Sequence, residues 1–179
     1  MMTTRAKALA AAAAVAVLLA AGGCGYRLRG TGNFLFVAQN IKTIAVPSFK
    51  NSTARYELDL KLTRAVVDEL VTRGRVEVVT DQAKADAVLD GEVAVFDVRP
   101  IAFTSQRSSA DRYLIQVVAN IVVRNTRTKK VIFTNPSYPW QMEYEVPQGT
   151  DFESSETEAL NKVAELFARA LVSAILEGF

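Results

Sequence analysis

The chain has 179 residues, half of them hydrophobic, which is enough for one domain with a buried core. It contains no histidine, which excludes Ser-His and Cys-His nucleophiles and most zinc sites. Lys and Arg number 21 and Asp and Glu 19, a balance that argues against non-specific nucleic-acid binding. We therefore expect no metal site, no cofactor and no nucleic-acid partner.

The first 23 residues have the layout of a signal peptide. Arg5 and Lys7 precede an unbroken small and apolar run over residues 8–21. This run is shorter than the about 20 residues that a membrane-spanning helix needs. Removing residues 1–23 leaves 19 basic and 19 acidic residues, so the rest of the chain has no formal net charge.

Cys24, the single cysteine, directly follows the small residues 21–23. In an ordinary exported protein cleaved near Ala21 it would be an unpaired thiol in an oxidising compartment, which is unusual. The segment resembles the lipobox of bacterial lipoproteins, although Ala21 stands where leucine is more usual. That resemblance implies that Cys24 becomes the N-terminus of the mature chain and carries acyl chains, palmitate among them. Gly25 after the cysteine then implies sorting to the outer membrane, on its periplasmic side.

A tether, a strand, a helix and a second strand are predicted next. Residues 25–40 have little periodicity and form the tether, which reaches at most about 55 Å. Residues 41–46 read as a strand that Pro47 ends. Residues 56–73 have an apolar residue at every fourth position and predict a helix with one buried face. Residues 76–79 predict a short strand, parallel to the first. The buried helix positions are Leu58, Leu62, Val66 and Leu70.

Three longer strands are predicted over residues 87–98, 112–124 and 130–146. The second has one apolar face and one mixed face with Gln116 and Asn120. In the third, the apolar positions change phase by one residue near Pro136 and Pro139, which predicts a bulge and an edge strand.

The last predicted element is a helix in which Ser155 and Glu158 match a capping box. We predict an α+β fold: two helices packed on one face of a four- to five-stranded mixed sheet, in the order β-α-β-β-β-β-α, as one domain over residues 41–179. The mixed face of the sheet then stays open. It either faces water, as antiparallel sheets often do, or meets a partner. The apolar stripe of the helix comprises Leu160, Val163, Ala164, Phe167, Leu171, Ala174 and Ile175.

Six segments together resemble the lipopolysaccharide-assembly lipoprotein family LptE. The resemblance implies a non-enzymatic outer-membrane lipoprotein that plugs the β-barrel LptD, helps it assemble and helps lipopolysaccharide reach the cell surface. It also implies two helices against a four-stranded sheet. The segments are CGYRLRG from Cys24, IKTIAVP from Ile41, RYE from Arg55, RGR from Arg73, ADAVLDG from Ala85 and FARALV from Phe167.

Family members are also described as contacting the lipid through basic side chains, and this chain offers two groups of candidates. One is the turn with Arg127, Lys129 and Lys130; the other is the serine-rich loop with Arg107, together with Arg112. Clustered Arg and Lys suit the phosphates of lipid A. A basic hairpin turn also keeps a sheet edge from pairing with other chains, so both readings stay open.

Two other functions are compatible with the sequence. The strand at residue 41, followed by Phe49, Lys50 and Asn51, also resembles small lipoproteins that activate a peptidoglycan synthase or form part of a secretion pore. Without histidine an enzyme would depend on a carboxylate pair or on Lys or Tyr chemistry, and Asp90 and Glu92 fall on the same face of a predicted strand. A solvent-exposed strand start is the better explanation of these two carboxylates.

Overall fold

The structure is a computed structural model that describes residues 36, 39–73, 76–103, 110–148 and 150–177. All of them lie in the compact unit Asn33–Phe179. Cys24 and Arg107 fall outside the described residues, as does most of the predicted tether.

The described elements form an α+β fold with one mixed sheet, as predicted. In chain order the elements are β1 (Thr43–Ala45), β2 (Lys50–Asn51), α1 (Leu58–Arg73), β3 (Glu77–Val79), β4 (Ala87–Phe103), β5 (Ala110–Asn125), β6 (Val131–Glu145) and α2 (Phe152–Glu177). The strand order is β3-β1-β4-β5-β6, and the two-residue strand β2 also pairs with β4. Strands β1, β2 and β3 make parallel pairs, whereas β4, β5 and β6 form an antiparallel meander.

Both helices cover the same face of the sheet, which confirms the two-layer prediction. The side chains of β5 alternate along this strand between buried and partly exposed, because a strand points successive residues to opposite faces. Four leucine and valine positions of α1 are buried, as its spacing predicts. The buried β5 positions are Ile115, Val117, Ala119, Ile121 and Val123; those of the predicted α2 stripe are Leu160, Val163, Ala164, Phe167, Leu171 and Ile175.

The two helices pack side by side and run in the same direction. The Lys61 ammonium donates to the Asn161 side-chain oxygen at 2.8 Å, and the Arg73 guanidinium donates to the Ser173 hydroxyl at 2.8 Å. Near the start of both helices, Arg55 makes an ion pair with Glu156. These contacts advance together along both helices, so α1 and α2 end at the same end of the domain.

Strand β6 is an edge strand with a bulge, as the prolines and the phase change predict. Ala119 pairs with Tyr138 and Ile121 pairs with Asn135, so two β6 residues lie opposite the single residue Asn120. The extra residue changes which β6 side chains point toward the helices. Tyr138 and Trp140 thereby reach Phe167 on α2.

The predicted capping box at the start of α2 is wrong. The helix begins at Phe152, and the side chain of Asp151 accepts a hydrogen bond from the Ser154 N–H at 2.8 Å. Asp151 is therefore the N-cap, because a cap side chain accepts from an N–H two or three residues later. Ser155 lies inside the helix, buried, and its hydroxyl donates to the Asp151 carbonyl.

Candidate functional site

The face of the sheet away from the helices is open along its whole antiparallel part. On β5 it presents Leu114, Val118 and Val122, each partly exposed and separated by the polar Gln116 and Asn120. Val95 of β4 lies beside Val118 and is 43 % exposed. The mixture of aliphatic and polar side chains is the one that the alternation of β5 predicts. We call this surface the open face.

The charges on the open face are largely paired with one another. Asp90 of β4 lies 2.8 Å from the Arg124 guanidinium, and Arg99 donates to the Gln116 side chain at 3.0 Å. Arg112 lies 3.8 Å from Glu143 of β6. Exposed ion pairs of this kind contribute at most about 1 kcal/mol each. A partner with its own polar groups could therefore replace them at little cost.

The carboxylates Asp90 and Glu92 lie on the same face, as expected from their spacing. The Ser52 hydroxyl donates to Glu92 at 2.7 Å, and this bond, with a second from Asn120, lowers the pKa of Glu92. Asp90 is occupied by Arg124. A general acid needs a raised pKa. Glu92 is thus held by two hydrogen-bond donors and Asp90 by an ion pair, so each carboxylate has its own structural partner.

The predicted basic turn joins β5 to β6 and is held in a defined shape. The buried side chain of Asn125 accepts hydrogen bonds from the N–H groups of Arg127 and Thr128, at 3.0 and 2.9 Å. Lys129 has φ of 57°, in the left-handed region. The turn presents Arg127, Lys129 and Lys130 on its exposed side, so the structure brings these three candidates together.

Asp86 connects this turn to the start of the sheet. Its carboxylate accepts hydrogen bonds from the N–H groups of Lys42 and Thr43, at 2.9 and 3.1 Å, and lies 3.1 Å from Arg127. The two backbone N–H groups, with a smaller effect of the Arg127 charge, lower the pKa of Asp86. Arg127 therefore has a structural partner inside the domain. No pattern in the sequence indicates this contact, although the ADAVLDG segment contains Asp86.

We expect Asp86→Ala to lower the free energy of unfolding by about 1–2 kcal/mol at neutral pH, because two backbone donors and Arg127 lose their acceptor. The contribution of Asp86 is complete above its ordinary pKa of 3.8 and is lost as the pH falls through its lowered folded-state pKa. Urea unfolding of both proteins from pH 7 to pH 3 should show their difference shrinking below about pH 4.

Asp90→Ala is the matched control, because it breaks an exposed ion pair to Arg124 that involves no backbone N–H. Its effect should stay within about 0.5 kcal/mol. Equal losses in Asp86→Ala and Asp90→Ala would contradict the role of the two backbone hydrogen bonds.

Arg112, the other basic candidate among the described residues, lies at the opposite end of the sheet from the basic turn. Arg112 is at the beginning of β5, about 40 Å from Arg124 at about 3.4 Å per residue. Arg107 is outside the described residues. Arg112 and the basic turn therefore lie at opposite ends of the sheet, and a single lipid head group cannot touch both.

In the part of the chain that the structure describes, neither helix is long and apolar enough to cross a membrane. Among the same residues, no three Asp, Glu or Cys side chains come together in a group that could hold a metal ion.

Comparison with known proteins gives a family and a shared fold. The model of the family LptE, lipopolysaccharide-assembly, matches residues 41–175. No curated protein matches the chain. The hypothetical protein CT253 from Chlamydia trachomatis is similar in structure, with a TM-score of 0.50 at 12 % identity, covering 78 % of this chain and 97 % of that one.

Two lipoproteins of known structure are also similar, with lower scores. Rare lipoprotein B from Shewanella oneidensis has a TM-score of 0.44 at 16 % identity, covering 75 % of this chain and 92 % of its own. A minor lipoprotein from Acinetobacter baumannii has a TM-score of 0.44 at 12 % identity, covering 78 % and 95 %.

Proposed function

The chain belongs to the lipopolysaccharide-assembly family LptE, and from that premise we propose that it is an outer-membrane lipoprotein that plugs the β-barrel LptD during lipopolysaccharide transport to the cell surface. The observation that carries the proposal is the extent of the match, residues 41–175, which includes every described strand, α1 and nearly all of α2. In this role the chain supports the shape and assembly of its partner and catalyses no reaction.

The open face is the surface that we propose to meet the barrel. The lumen of a large outer-membrane barrel is polar and wet. A face of exposed valines and leucine between weakly paired charges suits such a wall, because its ion pairs can exchange partners without leaving a buried charge unpaired. The opposite face of the sheet is already covered by α1 and α2.

Lipidation of Cys24 completes the proposal, with residues 1–23 removed as the signal peptide. Several acyl chains on one cysteine give durable anchoring, whereas one chain gives only marginal binding. Because Phe36 is already buried in the domain, the free part of the tether then keeps the domain within about 40 Å of the periplasmic side of the outer membrane. A β-barrel embedded in the same membrane is within this range.

Both groups of basic residues are proposed as phosphate-binding positions. Lipid A of the transported lipopolysaccharide is the proposed ligand of Arg112, which lies at the end of the sheet far from the tether, and of Arg107, five residues before it in the chain. Arg127, Lys129 and Lys130 form the second group. Guanidinium and ammonium groups on a preorganised turn are good donors to phosphate oxygens.

The test is photocrosslinking in cells that produce the native lipidated chain. A photoreactive amino acid replaces Val118 in the middle of the open face, and the adduct is extracted in mild detergent and identified by mass spectrometry. The expected adduct is a large outer-membrane β-barrel. The matched control is Arg64 on the exposed side of α1, which should give a weaker adduct because α1 lies on the covered side of the sheet.

Each alternative predicts a different result. Capture of a peptidoglycan synthase or a secretion-pore subunit at Val118 would contradict the barrel proposal. It would support the alternative, a lipoprotein that activates such a synthase or forms part of such a pore. Equal capture of the barrel at Val118 and Arg64 would support the role as a plug but would contradict the proposal that the open face is the surface that contacts the barrel. The intact mass of the same native chain reports the anchor, since a bare Cys24 thiol would contradict lipidation.

A further inference from the structure

We propose that the end of the domain where the tether enters docks on the phosphate head groups of anionic phospholipids in the membrane that holds the chain. This tether-end surface consists of Lys42, Lys84, Arg127, Lys129 and Lys130. The inference rests on the proposed lipid anchor at Cys24 and names the phosphate that the basic turn binds. Docking of the tether-end surface on the head groups orients the domain on the bilayer.

The path of the chain places this surface at the tether. Phe36 is buried, its carbonyl accepts the Ile41 N–H at 2.8 Å, and Ile41 is buried as well. Between them, the Asn40 carbonyl accepts a hydrogen bond from the Arg127 guanidinium at 3.5 Å. The tether therefore enters the fold directly beside the basic turn. Whatever anchors the chain upstream of Phe36 holds this end of the domain nearest to the anchor.

Three separate parts of the sequence converge at Asp86 to form the surface. The Lys42 N–H donates to the Asp86 carboxylate, and Lys84 precedes Asp86 by two residues. On the other side, the Thr126 N–H donates to the Asp86 carbonyl at 2.9 Å, and Asn125 N–H donates to the Lys130 carbonyl at 2.9 Å. The backbone of the turn is thus fixed against the start of β1 and needs no ordering when a ligand binds.

The charge of this end is positive. Lys42, Lys129 and Lys130 are exposed, and no carboxylate of the described residues lies within 4.0 Å of their ammonium groups. Lys84 lies 3.4 Å from Asp81 but remains 82 % exposed. Five cations thus share this end with Glu77, Asp81, Asp86 and Glu177, and two of these carboxylates are already paired. This excess stands out on a chain whose mature form has no formal net charge.

The length of the tether identifies the membrane as the source of the phosphate. From Cys24 to Phe36 the chain can extend at most about 40 Å, so an acylated Cys24 keeps the surface permanently close to the bilayer. A permanent tether gives lipid head groups a high effective concentration at this surface. Transported lipopolysaccharide is present there only in passing. Arg112 lies at the opposite end of β5, so the tether does not hold it near the head groups, and it is already paired with Glu143.

The experiment uses the full lipidated chain in vesicles of phosphatidylcholine, alone or with one third phosphatidylglycerol. A fluorophore on Thr128→Cys, an exposed position of the turn, reports contact through quenching by a head-group spin label. We expect strong quenching only with phosphatidylglycerol, and its loss in high salt. Replacing Lys129 by Asn, which tolerates the left-handed φ, and Lys130 by Gln should lower the ratio of docked to undocked protein about fivefold per lysine.

The matched control is the pair Arg64→Gln and Lys162→Gln on the exposed helix surface, which removes the same charge and should leave the quenching unchanged. Equal quenching in both kinds of vesicle would overturn the proposal. Quenching that requires added lipopolysaccharide would also overturn it, because the ligand would then be the cargo. The lysine variant should still crosslink to the barrel through Val118. In the chain without the lysine substitutions, absence of the barrel adduct at Val118 together with phosphatidylglycerol-dependent quenching would reject the plug alone. The two proposals therefore fail separately.

Discussion

Phe167→Ala should lower the free energy of unfolding by about 3–5 kcal/mol, the largest effect expected from any single substitution discussed for this domain. Phe167 is fully buried at the middle of α2. Its ring meets Tyr138 and Trp140 of β6 edge-on, with centroid distances of 5.9 and 6.1 Å. Truncation to alanine removes these contacts and leaves a cavity between α2 and the edge strand, which the rigid sheet cannot fill.

Trp140 provides the measurement, since it is the only tryptophan in the chain. Its emission should follow urea unfolding, and in the folded variant it should shift to the red as the ring loses its partner. Phe167→Leu keeps most of the volume and should cost less than about 1.5 kcal/mol. Leu60→Ala is the exposed control, with 56 % of the residue accessible. A loss in Phe167→Ala no larger than in Leu60→Ala would contradict the packing of α2 on β6.

Gly91→Ala is expected to cost about 1–3 kcal/mol, because the position has no room for a methyl group. Gly91 lies on the helix side of β4, where the buried ring of Phe49 covers its Cα. A Cβ at this position would come within 2.7–2.8 Å of three ring atoms. The ring is held in the core and cannot rotate away as a flexible side chain would. Chemical denaturation of the variant measures the cost.

The companion variant Phe49→Leu tests this cause directly. A smaller side chain makes space above Gly91, so Gly91→Ala should be less costly in the Phe49→Leu background than in the wild type. The two substitutions should therefore be coupled in a double-mutant cycle, by about 1 kcal/mol. Strictly additive losses would show that the methyl group meets something other than Phe49.

The elements that the sequence predicts well are those whose burial follows a local repeat. Leu58, Leu62, Val66 and Leu70 recur every fourth residue, and all four are buried in α1. The alternation along β5 likewise separates the core face from the open face. In both cases side-chain direction follows from the repeat of the backbone, so spacing alone identifies the face.

Predictions that depend on hydrogen-bond geometry were less successful. Ser155 and Glu158 fit a capping box, but the chain is already helical there and Asp151 caps the helix. Strand β2 was not predicted, because two residues carry no periodic signal and form a strand only by pairing with β4. Short elements of this kind depend on partners that are distant in sequence.

The candidate site shows the same division. The sequence by itself determined that Arg127, Lys129 and Lys130 share one turn, that one face of the sheet is mixed in character, and that the chain belongs with lipopolysaccharide-assembly proteins. Only the tertiary structure decided that Arg127 contacts Asp86 and the carbonyl of Asn40, and that this turn and Arg112 lie at opposite ends of the sheet. A local repeat determines which way a side chain points, whereas the pairing of strands determines what it meets.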